Sequence, residues 1–266
     1  MSEKANLKDI ELFLFDMDGT LYLGDRLFDF TRELLAKIRQ RGAKYLFMTN
    51  NSSKSVASYI KKLGRLGICA EYDDFMTASQ ATVYYLQNNF PDARLYVCGT
   101  ESLQEELRTN GFCVTKDIDK TDAVIIGNDT ELTFRKLDDV CRILTERDVP
   151  YIATNPDYVC PTEYGFVPDC GSFCDMICNA VKKRPVVIGK PQALMPQLAM
   201  KKYGVSSERT AVVGDRIYTD IKSGINAGCV SILVMSGETD EEVLHQSSDK
   251  PDYVFADAGE ILRYID

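Results

Sequence analysis

Short apolar segments alternate with amphipathic segments along most of the chain. The apolar segments have the length of buried strands and are often β-branched; they are LFLF (12–15), KYLFMT (44–49), RLYVCG (94–99), DAVIIG (122–127), YIAT (151–154), PVVIG (185–189), TAVVG (210–214) and VSILVM (230–235). Strands that alternate with helices in this way form parallel sheets covered by helices on both faces. The pattern therefore predicts an α/β fold with a doubly wound parallel sheet, and it supplies more strands than one ordinary sheet needs.

The segments between the strands have apolar residues at helical spacing. One of them, residues 56–63, follows Ser53, which is predicted to cap its helix. Another follows Pro191, which is predicted to be the first residue of the next helix. The main break in the rhythm is the stretch 154–172, which is predicted to be a long irregular loop. A loop of that length is usually functional or marks a domain edge.

Composition narrows the classes of partner. Hydrophobic residues make up 45% of the 266 residues, which is enough for a substantial core. The formal net charge of −9 argues against nucleic acid or an anionic membrane surface, because both bind clustered lysine and arginine. Small anionic substrates stay compatible with this charge. No apolar stretch approaches the ~20 residues that cross a bilayer, and the polar N-terminus does not resemble a signal peptide.

Cysteine and histidine usage points to a cytoplasmic protein that does its proton chemistry without histidine. The nine cysteines are scattered and odd in number, which is typical of reduced thiols. Cys170, Cys174 and Cys178 are predicted to be buried as small apolar residues, because they lack the pair spacing of a metal site. The single histidine, His245, lies in a polar stretch and is predicted to be exposed.

In the stretch LFLFDMDGT (12–20), a predicted apolar strand is followed directly by two nearby aspartates, Asp16 and Asp18. Two like charges held so close need a cation, a shared proton or exposure to water. The carboxyl edge of an open α/β sheet is also where ligands bind. The alternative is a polar turn, since Asp-Gly is a common turn pair.

Polar side chains also follow three other predicted strands: Thr49 with Asn50 and Asn51, Lys190, and Asp215 with Asp220 five positions on. If these strands belong to one sheet, their ends share one edge. Hard oxygen ligands grouped in this way suit Mg²⁺. Alternatives remain for several of them: Lys190 could be a surface lysine, and Asn51 and Asp220 could only cap helices.

The motifs DMDGT, TNN, GKP and GDRIYTD, in this order, resemble the four motifs of the haloacid dehalogenase superfamily of phosphohydrolases. The segments ATNPD, CPTEYG, CGS and IGKPQALM resemble the NagD-like, p-nitrophenylphosphatase subfamily, and the similarity covers nearly the whole chain. This resemblance implies a Rossmann-like catalytic core of residues 1–79 and 184–266, interrupted by an inserted α/β cap of the C2 type at residues 80–183. Thr130 and Cys160 depart from residues common in relatives, which leaves the substrate open.

The resemblance also implies roles for the residues of the motifs. Asp16 would be the nucleophile and Asp18 the general acid and base. Mg²⁺ would be held by the side chain of Asp16, the backbone carbonyl of Asp18 and the side chain of Asp215. The phosphoryl oxygens would be held by Lys190, Thr49 and the backbone N–H groups around Asn50 and Asn51. Asp220 would orient Lys190 or a metal-bound water.

These roles predict a Mg²⁺-dependent phosphatase that acts on a small phosphorylated metabolite, such as a sugar phosphate or a nucleotide. The alternatives are a phosphotransferase or mutase on the same scaffold, and an inactive binding protein. Specificity is predicted to come from the loop 154–160, in which Asn155 and Asp157 would contact the substrate, unless they only satisfy nearby backbone groups. The resemblance further suggests a homodimer formed through the cap.

Overall fold

The computed structural model of the protein describes residues 6–162 and 164–265. The chain forms two compact units. The first comprises Met1–Thr49, Ile60–Met76 and Lys190–Asp266, and the second comprises Asn50–Tyr59 and Thr77–Gly189.

Strands and helices alternate as the sequence pattern predicts. The strands are β1 (Leu12–Phe15), β2 (Tyr22–Leu23), β3 (Arg26–Leu27), β4 (Lys44–Thr49), β5 (Phe75–Thr77), β6 (Arg94–Cys98), β7 (Cys113–Val114), β8 (Ala123–Ile126), β9 (Tyr151–Ala153), β10 (Val159–Thr162), β11 (Gly165–Pro168), β12 (Val186–Val187), β13 (Thr210–Gly214), β14 (Val230–Val234) and β15 (Tyr253–Phe255). The α-helices are α1 (Thr31–Gln40), α2 (Val56–Arg65), α3 (Ala78–Asn89), α4 (Glu101–Thr109), α5 (Phe134–Glu146), α6 (Cys170–Val181), α7 (Leu194–Tyr203), α8 (Lys222–Ala227), α9 (Glu241–Gln246) and α10 (Leu262–Ile265).

The first unit is built on a six-stranded sheet in the order β15-β14-β13-β1-β4-β5. Strand β1 lies in its interior and is parallel to both β13 and β4. All four residues of β1 are fully buried. A strand covered on both faces has no polar side to show, which explains its continuous apolar sequence.

The second unit is built on a five-stranded sheet in the order β12-β9-β8-β6-β7. Its strand pairs are all parallel. The predicted α/β class with parallel sheets is therefore confirmed. The surplus of strands in the sequence is explained by the two sheets, one in each unit.

The prediction of an irregular loop over 154–172 is wrong from Val159 onward. Strands β10 and β11 pair there as an antiparallel hairpin, and α6 begins at Cys170. The hairpin was hidden from a sequence pattern because Pro161 and Pro168 usually argue against strands. A two-stranded ribbon tolerates them, since each of its strands is an edge strand.

Two predicted helix starts are also wrong. Helix α7 begins at Leu194, so Pro191 precedes it instead of forming its first residue. Helix α2 begins at Val56, and the Ser55 hydroxyl, not that of Ser53, accepts the N–H of Ser58 at 3.3 Å. In both cases the helix begins three residues after the residue that was predicted to start or cap it, because the residues between them belong to the preceding loop.

None of the nine cysteines, all of which lie within the described residues, forms a disulfide. The predicted burial of Cys170 and Cys174 is confirmed, since both pack into the core of the second unit, whereas Cys178 is partly exposed. His245 is exposed in α9, as predicted. Among the described residues, no helix is long and apolar enough to cross a membrane.

Candidate active site

Three carboxylates gather at the carboxyl edge of the six-stranded sheet. Asp16 directly follows β1 and Asp215 directly follows β13, and these two strands are parallel neighbours. Asp220 lies in a π-helical turn, Ile217–Ile221. Carboxylate oxygens of Asp16, Asp215 and Asp220 all lie within 4.8 Å of one another. Sequence-distant residues are thus brought together because adjacent parallel strands end at the same edge.

Lys190 is the cation within this group. Its Nζ donates to Asp16 Oδ1 at 2.6 Å, to Asp220 Oδ1 at 2.5 Å and to the carbonyl of Met48 at 3.3 Å. The side chain is only 2% exposed, so it is not a surface lysine. Burial acts to lower the pKa of Lys190, but the attraction of Asp16 and Asp220 outweighs burial and raises it above the ordinary value. The ammonium therefore stays charged at neutral pH.

Lys190 arrives at this group by a route different from the predicted one. The strand that precedes it, β12, pairs with β9 in the five-stranded sheet and not with the strands that carry the aspartates. The expectation that all the polar strand ends share one sheet edge is therefore wrong for Lys190. The chain passes from the second unit to the first between Gly189 and Lys190, and the lysine side chain then contacts the carboxylates of the first unit.

The carboxylates interact strongly. Burial is the main reason that the pKa of Asp215 is raised to about 8, and repulsion from Asp16 and Asp220 adds to it. The Glu238 N–H donates to Asp215 Oδ2 at 2.7 Å and opposes this rise only in part. Burial also raises the pKa of Asp220 to about 6, although Lys190 opposes it. Full ionisation of the three carboxylates is therefore unfavourable unless a further cation offsets their charge.

These residues fit a divalent metal ion. When all are ionised, the three carboxylates and the one ammonium leave two negative charges in a small buried volume. A divalent cation would offset that charge, and oxygen donors are those that Mg²⁺ prefers.

Asp18 lies in different surroundings. Among the described residues, its side chain is not part of the group that could share an ion. Its Oδ1 accepts the N–H of Gly24 at 3.3 Å, and its Oδ2 lies 3.7 Å from Lys62 Nζ. The carboxylate is 42% exposed. Burial raises the pKa of Asp18, and the charge of Lys62 opposes that rise. Asp18 can therefore exchange protons with groups that approach from solvent.

Two glycines pack closely against the side chain of Asp215. A Cβ on Gly19, whose φ is +85°, would lie 2.5 Å from Asp215 Oδ2, and a Cβ on Gly237 would lie 2.0 Å from the same oxygen. No side chain fits at either distance. The loop 236–239 also binds Asp215 through two backbone N–H groups, since Glu238 donates to the carboxylate and Thr239 donates to the Asp215 carbonyl at 3.2 Å.

The sequence reasoning missed Lys62 and the loop 236–239. Lys62 lies on α2, with its Nζ 4.0 Å from the centre of the Tyr22 ring. No local motif marks it, so no sequence signal would have found it. The loop carried a usable signal, because Ser236 and Gly237 directly follow the predicted strand that became β14, a neighbour of β13. Ser236 and Gly237 therefore follow a strand end in the same way as the predicted site residues do.

The TNN segment is divided between the units. Thr49 ends β4 in the first unit and is buried, whereas Asn50 and Asn51 belong to the second unit. Asn51 Oδ1 accepts the N–H of Ser53 at 2.9 Å and its hydroxyl at 2.7 Å, so Asn51 forms a local turn instead of capping α2. Its Nδ2 lies 4.0 Å from Cys160 Sγ.

Asn155 and Asp157 are buried inside the second unit. Asn155 Nδ2 donates to the Asn50 carbonyl at 2.9 Å, and Asn50 Nδ2 donates to Asp157 Oδ1 at 3.3 Å. Asn155 is fully buried, and Asp157 is nearly so. These contacts favour the alternative in which Asn155 and Asp157 satisfy backbone and side-chain groups of the protein instead of contacting substrate. The groups that they bind belong to Asn50, which is distant in sequence.

Comparisons with known proteins identify the family of the chain. Family models match at residues 13–113, for haloacid dehalogenase-like hydrolases, and at residues 187–261, for HAD-like hydrolases. The 5′-nucleotidase YutF of Bacillus subtilis is 33% identical over 259 residues, which cover 97% of this chain and all of that protein. A 4-nitrophenylphosphatase structure from Thermotoga maritima matches with a TM-score of 0.93 and 38% identity, covering 98% of this chain and 99% of that one. A structure described as a putative nagD protein matches with a TM-score of 0.85 and 39% identity, covering 92% and 96%. The chain is therefore a member of the haloacid dehalogenase superfamily, in its NagD-like, p-nitrophenylphosphatase subfamily of phosphoric monoester hydrolases.

Proposed function

We propose that this phosphatase is Mg²⁺-dependent and hydrolyses small soluble phosphomonoesters through an aspartyl-phosphate on Asp16. The observation that carries the proposal is the grouping of Asp16, Asp215 and Asp220 within 4.8 Å, with Lys190 bonded to two of them. An acidic group of this kind would repel a phosphate ester by itself. It becomes a phosphate site once a divalent cation is bound.

In the first step, an oxygen of the Asp16 carboxylate attacks phosphorus, a known role of carboxylates in phosphoryl transfer. The bond from phosphorus to the leaving oxygen breaks, and Asp18 donates its proton to that oxygen. Lys190 orients Asp16 through Oδ1, and the raised pKa of Asp18 favours the protonated form that this step needs.

In the second step, water attacks phosphorus and the bond to Asp16 breaks, which releases inorganic phosphate. Asp18, now ionised, takes the proton of the water. Lys190, Thr49 and the backbone N–H groups of Asn50 and Asn51 hold the phosphoryl oxygens in both steps, where charge spreads over them. Asp220 holds Lys190 in place, a role supported by their 2.5 Å contact.

The metal ion would be held by the side chains of Asp16 and Asp215 and by the backbone carbonyl of Asp18. Bound there, it supplies positive charge that offsets the carboxylates and the phosphoryl oxygens.

We also propose that the second unit is the cap and that the substrate is a small phosphorylated metabolite. Nucleotides are candidates because the relative YutF is named as a 5′-nucleotidase. The lack of disulfides among the described cysteines supports a reducing, cytoplasmic compartment.

The test is hydrolysis of p-nitrophenyl phosphate by the purified protein after chelation of metals. Adding Mg²⁺ should restore turnover, whereas Ca²⁺ should bind without supporting it, because its looser coordination misplaces the attack. Inorganic phosphate should appear in equal amount to nitrophenol without any alcohol acceptor, which separates hydrolysis from phosphotransfer. Turnover that persists in the chelator would refute the metal-dependent mechanism.

A further inference from the structure

The loop 50–53, which we call the Asn50 loop, directly follows β4 but is held by residues more than a hundred positions away. Asn155 Nδ2 donates to the Asn50 carbonyl at 2.9 Å, and Asp157 Oδ1 accepts from Asn50 Nδ2 at 3.3 Å. Farther along the loop, Ser52 Oγ is 2.9 Å from Thr154 Oγ1. Both the backbone and the side chain of Asn50 are therefore fixed by the segment 154–157.

The Asn50 loop also packs closely against two glycines. A Cβ on Gly189 would lie 2.6 Å from Asn50 Oδ1, and a Cβ on Gly127 would lie 2.9 Å from Ser52 Oγ. The backbone N–H of Asn128 also donates to Ser52 Oγ at 2.9 Å. The side chains of the loop thus fill space that only glycine leaves open.

The contact to the Asn50 carbonyl has a directional consequence. The peptide bond between Asn50 and Asn51 is trans, so its carbonyl and its N–H point in opposite directions within one plane. Holding the carbonyl of Asn50 toward Asn155 therefore aims the N–H of Asn51 away from Asn155. This N–H is one of the groups to which we assign the phosphoryl oxygens.

The polar atoms of Asn155 are unequally satisfied. Its Nδ2 is shared among the Asn50 carbonyl, Asp157 Oδ2 at 3.4 Å and Asp169 Oδ1 at 3.5 Å. Its Oδ1 is buried and has no hydrogen-bond partner among the described residues. Leaving a buried acceptor unsatisfied costs free energy, and such exceptions call for an explanation. A requirement for one orientation of the Asn50 peptide supplies it.

We propose that Asn155 and Asp157 are positioning residues that set the backbone of the Asn50 loop for phosphoryl binding. This inference rests on the proposed function, in which the N–H groups of Asn50 and Asn51 hold the phosphoryl group. It differs from a specificity role, because every substrate carries the same phosphoryl group. Loss of a positioning residue therefore lowers kcat/KM by a similar factor for all substrates, whereas loss of a specificity contact lowers kcat/KM more for some substrates than for others.

The experiment measures kcat/KM of Asn155→Ala for p-nitrophenyl phosphate, a sugar phosphate and a nucleoside monophosphate, together with inhibition by inorganic phosphate. We expect kcat/KM to fall by roughly 10- to 100-fold, by a similar factor for all three substrates, because small misplacements of a binding group have costs of this size. The inhibition constant of phosphate should rise as well. Asp157→Ala should behave alike, and it provides a second test should Asn155→Ala not fold. Asp157→Asn, which keeps an oxygen acceptor for Asn50, should recover most of the loss.

Asn128→Ala is the matched control. Asn128 is equally enclosed in this region and donates to Asp169 Oδ2 at 3.0 Å, but its side chain is not bonded to Asn50, and alanine keeps its backbone bond to Ser52. It should stay within about threefold of the wild type. Equal losses in Asn128→Ala and Asn155→Ala, uneven losses across the substrates, or an unchanged phosphate inhibition constant would each overturn the proposal. A wild type without any turnover would instead refute the proposed function, and with it this inference.

Discussion

Asp18 and Asp215, to which we assign different roles in one site, lie in different surroundings. Asp215 is 3% exposed and pressed by two glycines, so it can serve only a partner that is held in place, such as a metal ion. Asp18 is 42% exposed, and its two carboxylate oxygens contact Gly24 and Lys62. It is therefore accessible to a leaving group and then to water. Carboxylates whose environments differ in this way divide ligand and acid–base roles between them.

Asp18→Asn should slow turnover by roughly 10²- to 10⁴-fold, the usual effect of losing a general acid and base. The loss should be smaller for p-nitrophenyl phosphate than for an alkyl phosphate, because a good leaving group needs little protonation. Steady-state kcat for the two substrates gives the comparison. Asp122→Asn, which removes the surface ion pair with Arg94, should leave both rates unchanged. Equal losses for the two substrates in Asp18→Asn would remove Asp18 from the acid role.

Asp215 should make the metal-free protein less stable as the pH rises. Its folded-state pKa of about 8 lies above the ordinary aspartate pKa of 3.8, so the folded state binds more protons than the unfolded state between these values. The stability that protonated Asp215 retains in acid is therefore lost progressively as the pH rises from about 4 to about 8, with a slope of up to about 1.4 kcal/mol per pH unit.

Urea unfolding of the metal-free protein from pH 5 to pH 9 measures this slope. Asp215→Asn removes the titrating group, so it should flatten the slope and should also abolish the stabilisation by Mg²⁺. A wild-type slope that persists in Asp215→Asn would assign the pH dependence to another group.

Among the secondary-structure elements, strands with a continuous apolar sequence could be predicted, but the hairpin β10–β11 and the pairing of strands into sheets could not. Strands β4 and β13 have the bounds that their apolar runs indicate, because burial on both faces leaves a clear signal. The hairpin β10–β11 was missed because its prolines mimic a loop. No run of residues shows which sheet a strand will join, so the membership of β12 in the second sheet could not be foreseen.

The loop 236–239 gives a prediction at this scale. Gly237→Ala would place a methyl group 2.0 Å from Asp215 Oδ2, so the loop or the carboxylate must move and the Glu238 N–H bond is lost. We expect kcat/KM to fall by about 10²-fold or more, since displaced binding groups have effects of that size.

Gly64→Ala is the control for this substitution, because no atom lies within 4 Å of the added methyl group in α2. It should keep full activity and raise the stability by up to about 1 kcal/mol, the difference in helix propensity between the two residues. Full activity in Gly237→Ala would show that the close approach of this loop is not needed.

At the scale of the whole molecule, the sequence indicated an acidic phosphatase with an insertion, and the structure adds how the chain is shared between two units. The four motifs could be found because each is a short local pattern at a strand end. The grouping of Asn50–Tyr59 with the second unit could not, because it depends on contacts with residues 154–157, far away in sequence. The contact of Lys62 with Asp18 is hidden for the same reason.

The Asp16→Asn variant tests whether Asp16 attacks the phosphoryl group at the proposed metal-dependent site. The measurement is release of inorganic phosphate from p-nitrophenyl phosphate with saturating Mg²⁺, alongside a thermal melt to show that the variant is folded. Asparagine keeps the volume of the side chain but is a poor nucleophile, so we predict a folded protein without detectable turnover. A folded Asp16→Asn variant that retains turnover close to that of the wild type would contradict the aspartyl-phosphate mechanism.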